Sequence, residues 1–439
     1  MIFRAIPIIF LLFTHGNVFA SNLIDVYQKT LEFNPSLKQA ESIRLSTLQA
    51  SPQATAKFYP TLNFQADITN NNQKLDYDDN NFPDFSDNYR SYGLGISLRQ
   101  SLLNLSQYNR VKQADVIVAS AEIQFATFYQ DLMFNIILAY FEFLASTDNL
   151  SQYLAEKELT LDFLNQTIER YKNGEVAIVD THDVQARFDS VITKINFANI
   201  RVEAAREVLR KLTGEYFVNL SLLKNDIPFL YPEPSEVKIW VDRALSDNLS
   251  ILSDRLAIQA AQLDLDYQKK QNYPTIDIVG NYNLYNNSDL KVGGGDTRGS
   301  TIGLQLYWNI YQGGLNRSYI SQSRHTLNQI KMGALLKTKE IEEQVRSAHF
   351  LIYSEINRIN ELYRAMISHQ QALTANEIAY ELKTRSIRDL LISIEQLSDI
   401  KRDYAQARYN YLIQYLTLHK LAGLLDQELM KKINSLMEN

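Results

Sequence analysis

The chain has 439 residues, of which 45% are hydrophobic, a size that allows two or three ordinary domains. Its formal net charge of −6 argues against a nucleic-acid groove, and the absence of cysteine excludes disulfides, thiolate metal sites and a lipidated N-terminal cysteine.

Residues 1–20 hold Arg4, an apolar run from Ile6 to Phe13, and Val18-Phe19-Ala20 ahead of Ser21, the pattern of a cleaved secretory signal. The run is too short to span a bilayer as a helix, and no later stretch reaches the roughly 20 consecutive apolar residues such a span needs. An exported chain of this kind is free in the periplasm, secreted, or inserted as a β-barrel.

A helix is expected over residues 36–57, ending before Tyr59-Pro60 because the residue preceding proline disfavours helix. Strict alternation follows: Leu62, Phe64, Ala66 and Ile68 interleave with Asn63, Gln65 and Asp67, and Leu94, Ile96 and Leu98 interleave with Ser97 and Arg99. This period of two predicts a β-hairpin at about 61–102, with a long acidic loop holding Asp76, Asp78, Asp79, Asp84 and Asp87. Residues 106–213 then read as a long helix, a short break at 173–179 and a return helix.

Proline-rich 215–235 is a linker, after which the order recurs: a helix at 249–271, a hairpin at about 275–310, and a helical hairpin at 314–422. In the second β-hairpin Ile276, Ile278, Tyr282 and Leu284 alternate, as do Ile302, Leu304, Leu306 and Trp308, around a loop with Gly293-Gly294-Gly295. The long helix has a heptad seam of Val345, Ile352, Ile359, Met366, Leu373 and Tyr380, with Ile356 and Tyr363 between them. The recurrence is visible residue by residue. Tyr171, Ile178, Asp180, Lys211 and Gly214 match Tyr380, Ile387, Asp389, Lys420 and Gly423 at one constant offset. The plan is therefore signal 1–20, repeat one 21–214, linker 215–235, repeat two 236–423 and a C-terminal tail 424–439.

Two hairpins supply four strands, whereas a membrane barrel needs about eight or more. Strand edges in lipid must be paired, so chains must pool their strands, and three chains would give twelve. The expected fold class is an α+β membrane protein: a homotrimeric twelve-stranded β-barrel, four strands per chain, continuous with a long α-helical coiled-coil tunnel. Aromatic residues near strand ends, Phe58, Tyr59, Tyr273, Trp308 and Tyr311, suit barrel rims. Two hairpins of a soluble sheet are the simpler alternative.

Asn34-Pro35 before a helix, Tyr-Pro before each hairpin, Tyr311-Gln312-Gly313-Gly314 at the strand-to-helix junction, Ala405-x-Ala407-Arg408-Tyr409-Asn410-Tyr411 and the duplicated plan together resemble the TolC family of outer-membrane efflux proteins. The resemblance covers essentially the whole mature chain. It implies a homotrimer embedded in outer-membrane lipid and extending into the periplasm of a Gram-negative bacterium. It also implies a periplasmic adaptor (membrane-fusion) protein and an inner-membrane pump of the RND, ABC or MFS type. The expected function is a non-enzymatic exit duct for efflux or type I secretion, with no cofactor; a trimeric coiled-coil adhesin or structural spacer is the alternative, and a periplasmic hydrolase a remoter one.

The family has a periplasmic gate in which a Tyr and an Arg of the second repeat bind an Asp of the first, positions matched by Tyr380, Arg385 and Asp180. If exposed, such contacts contribute roughly 0.2–1 kcal/mol each. Asp389 matches a carboxylate of the entrance constriction, but Ile392 stands where the family has a second acid, and Arg388 adjoins it. Gly174, Glu175, Lys383 and Thr384 match the adaptor-contacting tips. Lys383 replaces a glycine, so either the turn differs or strain is tolerated there. Ordinary solvated helix-end charges are the alternative reading of Tyr380, Arg385 and Asp180.

Other signals are weak. Asp76-x-Asp78-x-Asn80 with Asp87 echoes a calcium loop, but Asn81 replaces the required glycine. His182, His325, His349, His369 and His419 form no ligand spacing, Gly313-Gly314 lacks a phosphate-loop ending, and Lys112, Lys331, Lys337 and Lys339 suit an outer helix face.

Overall fold

The computed structural model describes residues 20–75, 85–287, 289 and 294–438. Residues 1–19 of the signal segment, Asp76 to Asp84 of the acidic loop and Gly293 lie outside the described residues. The elements in order are α1 (Leu23–Phe33), α2 (Pro35–Leu48), α3 (Ala50–Thr55), β1 (Thr61–Leu75), β2 (Phe85–Leu103), α4 (Leu105–Lys172), α5 (Ile178–Thr213), α6 (Val237–Asp247), α7 (Leu249–Lys270), β3 (Thr275–Asn286), β4 (Asp296–Tyr307), α8 (Leu315–Glu381), α9 (Ile387–Leu421) and α10 (Gln427–Asn434). Among the described residues, no helix is long and apolar enough to cross a membrane.

Helix starts are written in the local sequence. The Asn22 side chain accepts from the backbone N–H of Ile24 and Asp25, while Asp25 accepts from the Asn22 N–H, closing a capping box on α1. Asn34 caps α2 through Ser36 and Leu37 at 3.0 and 3.2 Å, and Asn248 caps α7 through Ser250 and Ile251 at 3.0 and 3.3 Å. The single helix expected over 36–57 is instead broken at Gln49 into α2, α3 and a 3-10 turn at Ala56–Phe58. Pro52 explains the break: it has no N–H to donate, and its ring crowds the carbonyl of Leu48, where α2 stops.

Contacts divide the chain into two compact units. One contains residues 38–128 and 244–343 and holds an antiparallel sheet in the order β1-β2-β3-β4. Thr61 faces Arg99, Leu98 faces Gly280, and Ile276 faces Leu306, so the alternating apolar residues of all four strands share one face. That face is uncovered in the protomer: Leu62, Phe64, Ile302 and Leu304 are 70%, 71%, 81% and 72% exposed. The other face carries Asn63, Asp67, Ser97, Arg99, Asp277 and Asn281, and Arg99 donates to Asp277 at 3.0 and 2.6 Å. Tyr59, Tyr273, Trp308 and Tyr311 are exposed beside the strand ends, and Trp308 Nε1 donates to the Asn272 carbonyl at 2.8 Å.

The other unit, residues up to Leu37 with 129–243 and 344–439, contains the main core. Tyr140, Phe141, Met133, Ile136, Ile137, Leu144 and Tyr409 are fully buried there, with the Phe141 and Tyr409 rings 5.9 Å apart. The heptad seam is buried at Val345, Ile352, Ile356, Ile359, Leu373 and Tyr380. Met366 is half-buried, and Tyr363 is exposed, its ring 5.9 Å from that of Tyr404. Linker and tail are not loose, since Ser21 bridges Leu220, Leu223 bridges Met437, and the Tyr140 hydroxyl donates to the Ser221 carbonyl at 2.8 Å.

The return helix of each repeat ends on a glycine in the left-handed region, Gly214 at φ 77° and Gly423 at φ 71°. At Gly214 a Cβ would meet the Phe33 ring at 2.6 Å, so both conformation and space require glycine. Gly214→Ala is expected to destabilise this unit by about 1–3 kcal/mol. A thermal-unfolding midpoint unchanged from wild type would contradict this.

Candidate functional site

The turns α4–α5 and α8–α9 are built alike. In the first, the N–H of Gly174 donates to the Tyr171 carbonyl at 2.9 Å and that of Glu175 to the Arg170 carbonyl at 2.8 Å. In the second, Lys383 donates to Tyr380 at 3.0 Å and Thr384 to Ala379 at 2.9 Å. Gly174 has φ 74° and Lys383 φ 59°, the single positive φ at a non-glycine among the described residues. The turn is therefore conserved between repeats, and Lys383 takes the conformation that glycine adopts without steric cost. Thr384 Oγ1 adds a bond to the Ala379 carbonyl at 2.9 Å, and Arg170 lies 3.6 Å from Glu175.

Both return helices then start on a carboxylate three residues in. Asp180 Oδ2 accepts from the Ala177 N–H at 3.3 Å. Asp389 accepts from the N–H and hydroxyl of Ser386 at 3.2 and 2.8 Å, while its own N–H donates back to Ser386 Oγ at 3.2 Å. The Ser386 hydroxyl, then its N–H, holds the Asp389 carboxyl below its ordinary range. This support is present above the unfolded carboxyl's pKa and lost as pH falls through the lowered folded value.

The protomer does not bring Asp180, Tyr380 and Arg385 into mutual hydrogen bonds. Tyr380 is buried with Leu164, Val184, Leu373, Ile387, Leu390 and Ile394, and its hydroxyl has no partner. The Arg170 guanidinium sits 5.0 Å from its ring centroid. Arg385 reaches Asp389 at 4.0 Å, and Arg388 reaches Asp183 at 3.9 Å, joining α9 to α5. Ile392 is exposed, beside buried Leu391.

Arg170, Asp183 and Ser386 thus belong to this end of the molecule although sequence reasoning passed over them. Ser386-x-x-Asp389 could have been read as a capping box; nothing local marks the other two. Among the described residues, no group of three or more His, Cys, Asp or Glu could hold a metal ion.

Lys383→Gly should slow amide exchange at Lys383 and Thr384 by removing the strain of the left-handed lysine, and Gly174→Lys should speed it at Gly174 and Glu175. Equal exchange in wild type and both variants would contradict the strain. Ser386→Ala should shift the Asp389 titration upward toward the ordinary carboxylate range in an NMR pH series; an unmoved midpoint would show that Ser386 does not set it.

The family model "Outer membrane efflux protein" matches residues 26–215 and 240–424. Outer membrane protein TolC of Escherichia coli (strain K12) is 29% identical over 429 residues, covering 95% of this chain and 85% of that one. Alkaline protease secretion protein AprF of Pseudomonas aeruginosa is 22% identical, covering 95% and 88%. The outer membrane protein VceC of Vibrio cholerae superposes with a TM-score of 0.78 at 17% identity, covering 91% of this chain and 96% of that one. The adhesin and hydrolase alternatives fall away with these matches. The chain belongs to the outer membrane efflux protein family: it is a non-enzymatic exit duct of the outer membrane, its protomer giving four strands to the twelve-stranded barrel of a homotrimeric channel-tunnel that reaches into the periplasm.

Proposed function

We propose that this duct is the outer-membrane component of a tripartite machine, joined by a periplasmic adaptor (membrane-fusion) protein to an inner-membrane pump of the RND, ABC or MFS type, and that its periplasmic end is gated. The secretion role named for AprF and the family of efflux proteins support export as the task. The adaptor would meet the paired turns at Gly174, Glu175, Lys383 and Thr384. Asp180, Tyr380 and Arg385 would form the gate, and Asp389 with Ile392 the constriction behind it.

The observation that carries the gating reading is the contrast at the turns. Tyr380 is anchored by its ring in an apolar cluster but keeps an unpaired hydroxyl, while Arg385 and Arg388 hold only long, exposed contacts of 4.0 and 3.9 Å. An exposed arginine in such a contact is cheaply redirected to a carboxylate on a neighbouring copy. Contacts that are individually weak can be overridden by a partner that binds the open state better. Asp389 would add one carboxylate per chain around the axis, with Ile392 leaving the constriction partly apolar.

Single-channel recording in planar bilayers tests the gate. Tyr380→Phe combined with Arg385→Ser is expected to raise the resting conductance, and Asp389→Asn to weaken block by divalent cations. Resting conductance equal to wild type would reject the gate assignment, and unchanged block would remove Asp389 from the entrance.

A further inference from the structure

Glu156 lies within α4, and its side chain is 1% exposed. A carboxylate buried to that degree is costly unless paired and fully hydrogen-bonded, and this one is. Arg187 of α5 pairs with Oε1. Oε2 accepts from Ser398 Oγ of α9 at 2.8 Å and lies 3.4 Å from Arg402 Nη1 of the same helix. Around this centre, Arg187 reaches Glu395 at 2.6 Å, Lys194 reaches Glu395 at 3.1 Å, and Arg402 pairs with Asp399. The Arg402 guanidinium stacks 4.1 Å from the Tyr153 ring centroid. Arg187, Lys194 and Arg402 balance Glu156, Glu395 and Asp399, so the cluster is neutral and joins helices of both repeats.

The cluster also breaks the internal symmetry. At the repeat offset, Ala365 stands opposite Glu156, Gln396 opposite Arg187 and Thr193 opposite Arg402. The centre can therefore be built only once per chain, with α4 and α5 supplying the buried carboxylate and α9 its grip. It stands well back from the turns. Sixteen residues of α4 separate Glu156 from Lys172, about 24 Å at ~1.5 Å per residue. The apolar cluster of Leu164, Val184, Leu390, Ile394 and Leu397 fills the interval.

We propose that Glu156 is a positioning residue, the fulcrum at which Arg187, Ser398 and Arg402 hold α9 to the α4–α5 hairpin while the turns beyond it open. The inference deepens the gated-duct reading and rests on it. Parting α9 from Glu156 would strand a buried charge, whereas parting the contacts of Arg385 and Arg388 returns exposed groups to water. Under an adaptor's pull the exposed contacts yield first and the buried centre stays closed. The first-repeat hairpin is then the fixed arm, and α9 pivots on it.

The test is single-channel conductance of the assembled trimer for Arg385→Ser, Glu156→Gln, Glu156→Gln with Arg402→Gln, and Ser398→Ala. Glu156→Gln keeps the side-chain shape but leaves two arginines undercompensated, and is expected to raise resting conductance at least about twofold. Adding Arg402→Gln restores charge balance and should bring conductance back toward wild type, a reversal that general loosening of the helices would not produce. Should Glu156→Gln fail to assemble, Ser398→Ala, which deletes one neutral donor, should still raise conductance. Assembled Glu156→Gln at wild-type conductance, a double variant more conductive than the single one, or Ser398→Ala without effect where it stands in for the single variant, would each overturn the fulcrum. Arg385→Ser without effect, beside a raised Glu156→Gln, would instead reject the gate at the turns and leave Glu156 as the residue that positions α9.

Discussion

Everything in this molecule depends on the need to pair the edges of a sheet whose apolar face is turned outward. Leu62, Phe64, Ile302 and Leu304 stand on one uncovered face, and β1 and β4 are the two outer strands. In hydrocarbon, each unpaired backbone N–H or carbonyl on those strands would cost several kcal/mol. Four strands are too few to close on themselves, so closure must come from other copies, and in the homotrimer of the family three copies supply twelve. The helices inherit that symmetry, because α4 and α8 leave the sheet directly through β2 and β4.

Holding the assembly together and letting it open call for contacts of different strength. The structure separates them along the same helices. The turns are held by hydrogen bonds local to each repeat, by a lysine in a left-handed conformation and by exposed ion pairs. Farther along α4, α5 and α9 the Glu156 carboxylate is buried, and both its oxygens are engaged by Arg187, Ser398 and Arg402. Salt and partners act readily on the first kind and scarcely on the second.

Much of the fold was legible in the sequence because its environments are strongly periodic. A strand with lipid on one side and water on the other must alternate, and the alternating segments fall within β1 to β4. β1 runs on to Leu75 and β2 begins at Phe85, so Asp87, expected in the acidic loop, lies in β2 opposite Gln73, because ladder pairing extends past the apolar pattern. Long helices that wrap on neighbours must repeat every seven residues, and the seam from Val345 to Tyr380 is buried accordingly. Where the signal was a single residue it was easier to miss. Pro52 breaks a helix whose end was read only from the later Tyr59-Pro60, and Tyr363 fits the heptad but falls outside the buried stripe, as drift of a 3.6-residue helix against a seven-residue repeat allows. The site was less legible because its contacts are distant in sequence: Arg187 is 31 residues from Glu156 and Arg402 is 246. The internal repeat put a helix break between α4 and α5 and another between α8 and α9, and of the two alternatives at Lys383 the backbone takes the left-handed one, but the partners of Tyr380 and Arg385 within one protomer follow from packing that no motif records.

The most direct test of the account is whether β1 of one copy meets β4 of another. The chain has no cysteine, so cysteines introduced at Asn63 on β1 and Gln305 on β4, with neighbouring positions on β4 to scan the register, give a clean background for oxidation in outer membranes. The account predicts a covalent trimer on a non-reducing gel at the matching register. A ladder that stops at monomer at every register would contradict it.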